Sequence, residues 1–317
     1  MSNELGTIGT DNERRSPQGS HSSLGLPRAL LHRLESLRLV SRGRLATQGQ
    51  GDRRSPLRGT SLQLVDYRAY VPGDDLRQVD WNAYGRSGEL FVRLYEDERI
   101  LTVHLLVDVS ESMDWGMPNK REVALRLAAA LAYVALSGYD RVQIGFLADR
   151  VIGRAGPFWG QPQRPLAFTA LAGAPRAAQT DFAASVTAYV DRLRAMPTGG
   201  SGLLILLTDL LNPTAEAGLR RLASGRHEAV VLHLLSPQEL DPAPDEDVEL
   251  IDRETGRSID LNLDRGTIER YRQRLAEWSD RLSAICRERN ARYVRLSTGD
   301  ELEPAMLRTL RSRGILA

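Results

Sequence analysis

Residues 101–113 of this chain read LTVHLLVDVSESM. The first eight form an apolar run, interrupted by one threonine and one histidine, that ends at Asp108 and is typical of a strand buried on both faces. Ser110 and Ser112 follow, so the strand leads into an Asp-x-Ser-x-Ser pattern. By itself this pattern also suits a helix cap, because Asp and Ser side chains accept hydrogen bonds from free backbone N–H groups.

Apolar runs and helical patterns alternate on the C-terminal side of this stretch. With the run at 101–108, further strands are predicted at 142–147, 203–209 and 230–235, and helices at 123–136, 182–196 and 215–222. Continuous apolar strands separated by helices predict a parallel sheet that is covered on both faces. The predicted fold class is therefore α/β, with a doubly wound, mainly parallel sheet and helices on both faces.

The remaining C-terminal sequence predicts decoration and closure of the same domain. A hairpin is expected near 248–263, with a turn at 254–256, and a long amphipathic helix through 268–285. A last strand at 291–296 and a closing helix at 302–310 follow. We assign residues 101–317 to one domain.

The sequence before residue 101 differs in character. Residues 1–25 are rich in Ser, Gly, Asn and charge, which predicts a disordered tail. Residues 26–100 form an N-terminal extension, with a short helix at 30–37, a basic loop at 41–59 and a segment at 61–98. In that last segment we expect a tight turn at 71–75 with an Asp capping a short helix, Trp81 in packing, and a strand at 90–95.

Composition excludes several classes of function. A net charge of +1 and a pI near 7.9 give no bulk attraction to nucleic acid or to an anionic membrane. The single cysteine, Cys286, cannot form an intramolecular disulfide, which fits a reducing compartment. We predict no membrane span and a cytoplasmic location, since no apolar run is long enough to cross a bilayer.

Two further loops carry oxygen ligands that converge with the first. Thr180 and Asp181 open a predicted helix, and the strand at 203–209 runs directly into Thr208 and Asp209. The carboxyl ends of strands are where doubly wound folds place their ligands. Hydroxyls and one or two carboxylates suit Mg²⁺, a hard cation that prefers oxygen, with Mn²⁺ and Ca²⁺ as alternatives.

These residues resemble the metal-ion-dependent adhesion site of the von Willebrand factor A family, which pairs Asp-x-Ser-x-Ser with a separate Thr and a later Asp. The resemblance implies a von Willebrand A or Rossmann-like fold in which Ser110, Ser112 and Thr180 coordinate the metal through hydroxyls. Asp108 and Asp209 would then bind it directly or through water. Such a site leaves one position for an Asp or Glu of a partner, so it implies binding and not catalysis.

From about residue 57 onward the chain is more specifically similar to a bacterial von Willebrand A-like family known as domain of unknown function 58. The likeness is carried by residues 70–81, which read YVPGDDLRQVDW, and by the motif from Asp108 to Met113. Members are associated with MoxR-type AAA+ ATPases. The resemblance therefore implies an adaptor or co-chaperone whose partner is such an ATPase or another protein that presents Asp or Glu.

Three residues near the metal motif are candidates for partner contact: Glu111, Lys120 and Asp181. Lys120, the only lysine, lies near the start of the helix after the metal loop. It either orients acidic groups or faces solvent, and we favour solvent. The histidines lack metal-ligand spacing, and His104 and His233 fit core packing on predicted strands.

Two other functions compete with metal-dependent binding. In a Mg²⁺-dependent hydrolase such as a phosphatase, Asp108 would attack phosphorus and Asp209 would hold the metal. Ser110 stands where a haloacid-dehalogenase-like phosphatase has its acidic proton donor, which disfavours this reading. Alternatively, the arginine-rich segment between residues 28 and 58 could bind nucleic acid or a membrane surface, although neither partner is expected from the net charge.

Overall fold

The structure is a computed structural model, and the residues that it describes are 24–41, 63–71, 79–96, 100–148, 150–177, 181–195, 202–222, 227–251 and 258–317. Several sequence predictions lie outside these residues. They are most of the disordered tail, most of the basic loop, the turns at 71–75 and 254–256 apart from Val71, and the metal candidate Thr180.

The strands of the described residues are β1 (Gln63–Ala69), β2 (Phe91–Glu96), β3 (Thr102–Asp108), β4 (Arg141–Leu147), β5 (Val151–Trp159), β6 (Leu203–Thr208), β7 (Glu228–Leu235), β8 (Asp245–Ile251), β9 (Ser258–Leu263) and β10 (Arg292–Ser297).

The helices are α1 (Arg28–Leu34), α2 (Trp81–Ser87), α3 (Lys120–Ser137), α4 (Arg164–Ala172), α5 (Phe182–Ala195), α6 (Ala215–Leu222), α7 (Pro237–Leu240), α8 (Arg265–Glu288) and α9 (Leu302–Pro304). Short 3-10 turns cover Glu111–Met113 and Gln161–Gln163, and a π-helical turn at Ala305–Leu310 continues α9.

Six strands form one sheet in the order β10-β7-β6-β3-β4-β5. All neighbours are parallel except β5, which runs antiparallel to β4. The α/β class and the mainly parallel sheet predicted from the sequence are therefore confirmed. The chain builds outward from β3 to β4 and β5, then crosses to β6 on the other side of β3, so the strand order reverses between β3 and β6. Open α/β sheets bind ligands at this point of reversal.

The central strands of the sheet are buried on both of their faces. Every residue of β6 is buried, and in β3 and β7 only the first residue is not. Such strands cannot show the polar alternation of a half-exposed sheet, which is why they read as continuous apolar runs. The apolar cluster beneath the sheet includes Leu106, Leu206 and Val231 from the strands and Phe182 and Leu219 from α5 and α6.

By contacts within the chain, residues 1–43 and 102–317 form one compact unit, here called the sheet unit, and residues 44–101 form another, the insert. Helix α1 thus belongs to the sheet unit, although the sequence grouped it with the extension. After it, Leu39 forms an antiparallel bridge with Leu316, and Arg38 and Ala317 exchange backbone hydrogen bonds.

The described part of the insert consists of the antiparallel pair β1–β2 and helix α2. Asp80 caps α2 by accepting hydrogen bonds from the backbone N–H groups of Asn82 and Ala83. Trp81 contacts the Tyr84 ring edge-on but is not part of a core, because it begins a helix with no buried residue and is 57% exposed. No helix among the described residues combines the length and the apolar character needed to span a membrane.

Candidate metal centre

The predicted site residues lie where the carboxyl ends of β3 and β6 meet. Asp108 is the last residue of β3, and Asp209 follows β6 directly. Both carboxylates are buried, as is Ser110. Buried polar groups of this kind require partners, and the partners define what the site can do.

Both oxygens of Asp108 accept hydrogen bonds. Its Oδ1 accepts from the backbone N–H of Ser110 at 3.0 Å, and its Oδ2 accepts from the hydroxyl of Thr208 at 2.7 Å. Burial and the nearby carboxylate of Asp209 nevertheless raise the pKa of Asp108 to about 6, because the two hydrogen bonds only partly offset them. Among the described residues, Asp108 has these hydrogen bonds but no ion-pair partner.

The serines of the motif point their hydroxyls at one another. The Oγ atoms of Ser110 and Ser112 lie 3.0 Å apart and share a hydrogen bond. Adjacent ligands in a Mg²⁺ octahedron with bonds of about 2.1 Å are separated by about 3 Å. The hydroxyl pair therefore has the spacing that two neighbouring Mg²⁺ ligands require, and the donor set fits this metal.

Asp209 is held from three directions. Its Oδ2 accepts from the Lys120 ammonium at 2.8 Å, and its Oδ1 accepts from the backbone N–H of Leu211 at 3.1 Å. Its carbonyl oxygen lies 2.9 Å from Nε2 of His233. Since a carbonyl can only accept, His233 carries its proton on Nε2, and burial keeps the imidazole neutral by lowering its pKa to about 4.

The expectation that Lys120 faces solvent is wrong. Its side chain is 1% exposed, and its Nζ bridges Asp209 and Glu239 at 2.8 and 2.5 Å. Burial alone would lower the pKa of Lys120, but Asp209 and Glu239 outweigh it and hold this pKa above its ordinary value. The Trp115 ring lies 5.8 Å from the same nitrogen. Lys120 is thus a fixed buried cation of the site.

Glu239 is a site residue that sequence reasoning missed. It lies in α7, immediately after β7, where Ser236 and Glu239 form a reciprocal capping box. One carboxylate oxygen of Glu239 accepts from the backbone N–H and hydroxyl of Ser236, which leaves the other for Lys120. The signal was present, because Ser-x-x-Glu after a predicted strand marks a helix start at the carboxyl edge of the sheet.

The other candidates have different positions. Asp181 caps α5, accepting from the backbone N–H of Ala184 at 3.1 Å, and Glu111 is exposed on the turn after β3. Thr180 lies outside the described residues. Within the described part of the chain, no group of three or more His, Cys, Asp or Glu side chains could hold a metal.

The buried histidines belong to the core, as predicted. On β3, Nδ1 of His104 lies 3.0 Å from the Tyr189 hydroxyl, and burial lowers the pKa of His104 to about 4. On β7, Nδ1 of His233 pairs with the Tyr293 hydroxyl.

The chain is similar to known proteins at three levels. The family model described as "Protein of unknown function DUF58" matches residues 66–281. The proteins "Uncharacterized protein Rv1480" of Mycobacterium tuberculosis and "Uncharacterized protein Mb1516" of Mycobacterium bovis are each 29% identical to it over 239 residues, 73% of this chain and 73% of the relative.

Two solved structures are also similar. They are BatB from Bacteroides thetaiotaomicron, with 20% identity, 67% of this chain and 98% of that chain covered and a TM-score of 0.40, and an aerotolerance-related membrane protein from Bacteroides fragilis, with 21% identity, 68% and 98% covered and a TM-score of 0.42.

Proposed function

Because this chain belongs to the DUF58 family, whose function is unknown, we propose a function from the site itself: a von Willebrand A-like protein that binds Mg²⁺ and uses it to bind an acidic side chain of a partner protein. One observation carries the proposal. A hydrogen-bonded hydroxyl pair, whose separation also suits two adjacent Mg²⁺ ligands, lies at the strand reversal beside a buried carboxylate that has no cationic partner among the described residues.

The metal would be held by Ser110, Ser112 and Asp108, and Asp209 would lie next to these ligands. Lys120 already occupies one oxygen of Asp209, which favours a role through water for this carboxylate. By family resemblance Thr180 would supply a third hydroxyl. The bound metal would be a Lewis acid with few anionic ligands. A carboxylate of the partner could occupy the coordination position that remains.

Binding is proposed in preference to phosphoryl chemistry because of the residue type at position 110. Ser110 stands where a haloacid-dehalogenase-like phosphatase has its acidic proton donor, and the hydroxyl of Ser110 cannot readily donate a proton near neutral pH. The proposed partner is the one implied by the resemblance, a MoxR-type ATPase or another protein that presents Asp or Glu, and the proposed location is the cytoplasm. The buried free thiol of Cys286 is compatible with that compartment.

Calorimetric titration of the full chain with Mg²⁺ tests the proposal. We expect the wild type to bind one ion and Asp108→Ala to bind none, because the substitution removes the carboxylate next to the hydroxyl pair. The matched control is Asp280→Ala, which removes an exposed carboxylate on α8 and should leave Mg²⁺ binding unchanged. Absence of binding to the wild type, or equal binding to Asp108→Ala, would contradict the proposed site.

A further inference from the structure

A cavity of about 380 Å³ opens beside the hydroxyl pair. Its polar and charged lining consists of Ser110, Glu111, Asp114, Arg121 and Arg176. Ser110 therefore belongs both to the candidate metal centre and to this cavity. A molecule that entered the cavity would lie next to the metal ligands.

Arg121 is the unusual residue of this lining. It is 6% exposed, and its Nη2 donates to the backbone carbonyls of Ala174 and Pro175. Its Nε and Nη1 are buried and have no hydrogen-bond acceptor among the described residues. Since a guanidinium has five N–H donors, three of them are unused. A buried charged donor without a partner is destabilising, so this arrangement requires an explanation.

Three features of the surroundings increase that cost. Arg121 is the second residue of α3, where the positive end of the helix dipole repels a cation. Burial and the neighbouring Arg176 lower its pKa, and Asp114 only partly opposes them. A bound anion would offset the helix dipole and the repulsion from Arg176, because it would accept the free N–H groups of Arg121 and place a negative charge beside them.

The acidic residues of the lining do not already perform this role. Asp114 is engaged elsewhere, since one oxygen accepts from the Asn119 amide at 3.1 Å and the other pairs with Arg176 at 3.5 Å. Glu111 is exposed to solvent. Arg176 pairs with Asp114 but is itself 76% exposed, so an incoming group can reach its guanidinium.

We infer that this cavity is a carboxylate subsite in which Arg121, assisted by Arg176, holds a second acidic side chain of the partner. The inference rests on the proposed metal-dependent function. It specifies the partner further, since the recognised segment must carry neighbouring carboxylates, one for the metal and one for the unpaired N–H groups of Arg121. Arginine suits the second role because a guanidinium offers five N–H donors and no acceptor.

The test uses the full chain with saturating Mg²⁺ and a fluorescein-labelled hexaglutamate peptide, followed by fluorescence anisotropy. We expect Arg121→Gln to weaken peptide binding by at least about tenfold, the loss typical of a charge-assisted hydrogen-bonded pair. Arg176→Glu should weaken it as well and does not disturb a buried side chain. The matched control is Arg274→Gln, which removes an exposed charge from α8 and should change the affinity less than about twofold.

Magnesium titration of each variant separates this inference from the proposed function. Unchanged Mg²⁺ binding with lost peptide binding in Arg121→Gln supports the subsite. If peptide affinity in Arg121→Gln and Arg176→Glu equals that of Arg274→Gln while Mg²⁺ still binds, the subsite is wrong and the metal centre stands. If wild-type protein binds no Mg²⁺, the proposed function fails before the peptide is added. Melting curves identify a variant that is unfolded, in which case Arg176→Glu decides.

Discussion

Lys120 forms a buried ion triad with Asp209 and Glu239 at the edge of the sheet. Ion pairs in such places contribute little net stability when complete, because desolvation offsets attraction. Breaking one is different, since it leaves a charge buried without a partner. The role of Lys120 is therefore to hold two carboxylates in place beside the candidate metal, and its removal should be felt in folding.

We expect Lys120→Met to lower the free energy of unfolding by about 3–5 kcal/mol, the usual effect of removing one partner of a buried pair. Urea denaturation of the metal-free protein measures this. The control is Glu122→Gln, an exposed position on the same helix, which should stay within about 0.5 kcal/mol of wild type. A loss below about 1 kcal/mol for Lys120→Met would mean that Asp209 and Glu239 have other support.

The sequence could reveal the carboxylates of the site but not their cation. Asp108 and Asp209 each follow an apolar run, so their position at the strand ends could be predicted from pattern alone. Lys120 stands at the start of α3, and the side on which its ammonium lies depends on the path of the preceding loop. Its partner Glu239 is distant in sequence, and the subsite residue Arg121 gave no local signal either.

At the scale of elements, the loop between β3 and α3, which carries Ser112, is hydrogen-bonded to helix α7. The backbone N–H and carbonyl of Met117 bond to the Gln238 side chain at 3.1 and 3.0 Å. Next to it, Gly116 has a φ of +93°, and a Cβ there would lie 2.5 Å from the Cβ of Ser236. The loop that carries Ser112 can therefore keep its path only with glycine at this position.

We predict that Gly116→Ala destabilises the protein and weakens Mg²⁺ binding, because the methyl group meets Ser236 and the backbone conformation disfavours a side chain. The combined cost should be about 2–4 kcal/mol, of which the conformation accounts for about 1–2. In a Ser236→Gly background the clash disappears, so the added cost of Gly116→Ala should fall to the conformational part. Equal costs in both backgrounds would show that the close approach is not responsible. Urea unfolding and calorimetry provide the two readouts.

Elements with an unambiguous apolar pattern could be predicted, including the edge strand β10, whereas the opposite edge of the sheet could not. Strand β5 and helix α4 were missed. Strand β5 contains two glycines and Pro157, is only partly buried and pairs with β4 alone, so it lacks the hydrophobic run of the inner strands. Proline lacks the N–H that a central strand must donate, but an edge strand tolerates it.

At the scale of the whole molecule, the residues of the sheet unit that flank the insert in sequence lie near one another. The hydroxyl of Ser41 bonds to Glu228 at 2.9 Å, and the backbone N–H of Glu228 bonds to Gly202. Gly202 in turn lies against the carbonyl of Thr102, where β3 begins. The chain therefore leaves and re-enters the sheet unit at the amino-terminal edge of the sheet, and segments inserted between close ends are usually dispensable for folding.

Replacing residues 44–101 with a short glycine-serine linker should leave the sheet unit folded. We expect cooperative thermal unfolding and a Mg²⁺ affinity within about threefold of the full chain, because the candidate metal residues all belong to the sheet unit. Differential scanning calorimetry and Mg²⁺ titration provide the measurements. A broad, non-cooperative transition would show that the insert is required for the fold, and loss of Mg²⁺ binding with an intact transition would place part of the site in the insert.

The bridge between Leu39 and Leu316 has a consequence for how the protein is made. Leu37 and Leu39 are buried, and the backbone of residues 38–40 pairs with residues 315–317. During synthesis residues 38–40 leave the ribosome early, and their backbone partners at residues 315–317 are made much later. Contacts this distant in sequence form late and slowly. A nascent chain stalled after β10 would thus have the complete six-stranded sheet, but the backbone of residues 38–40 would still be unpaired. A chaperone would bind the chain in this state.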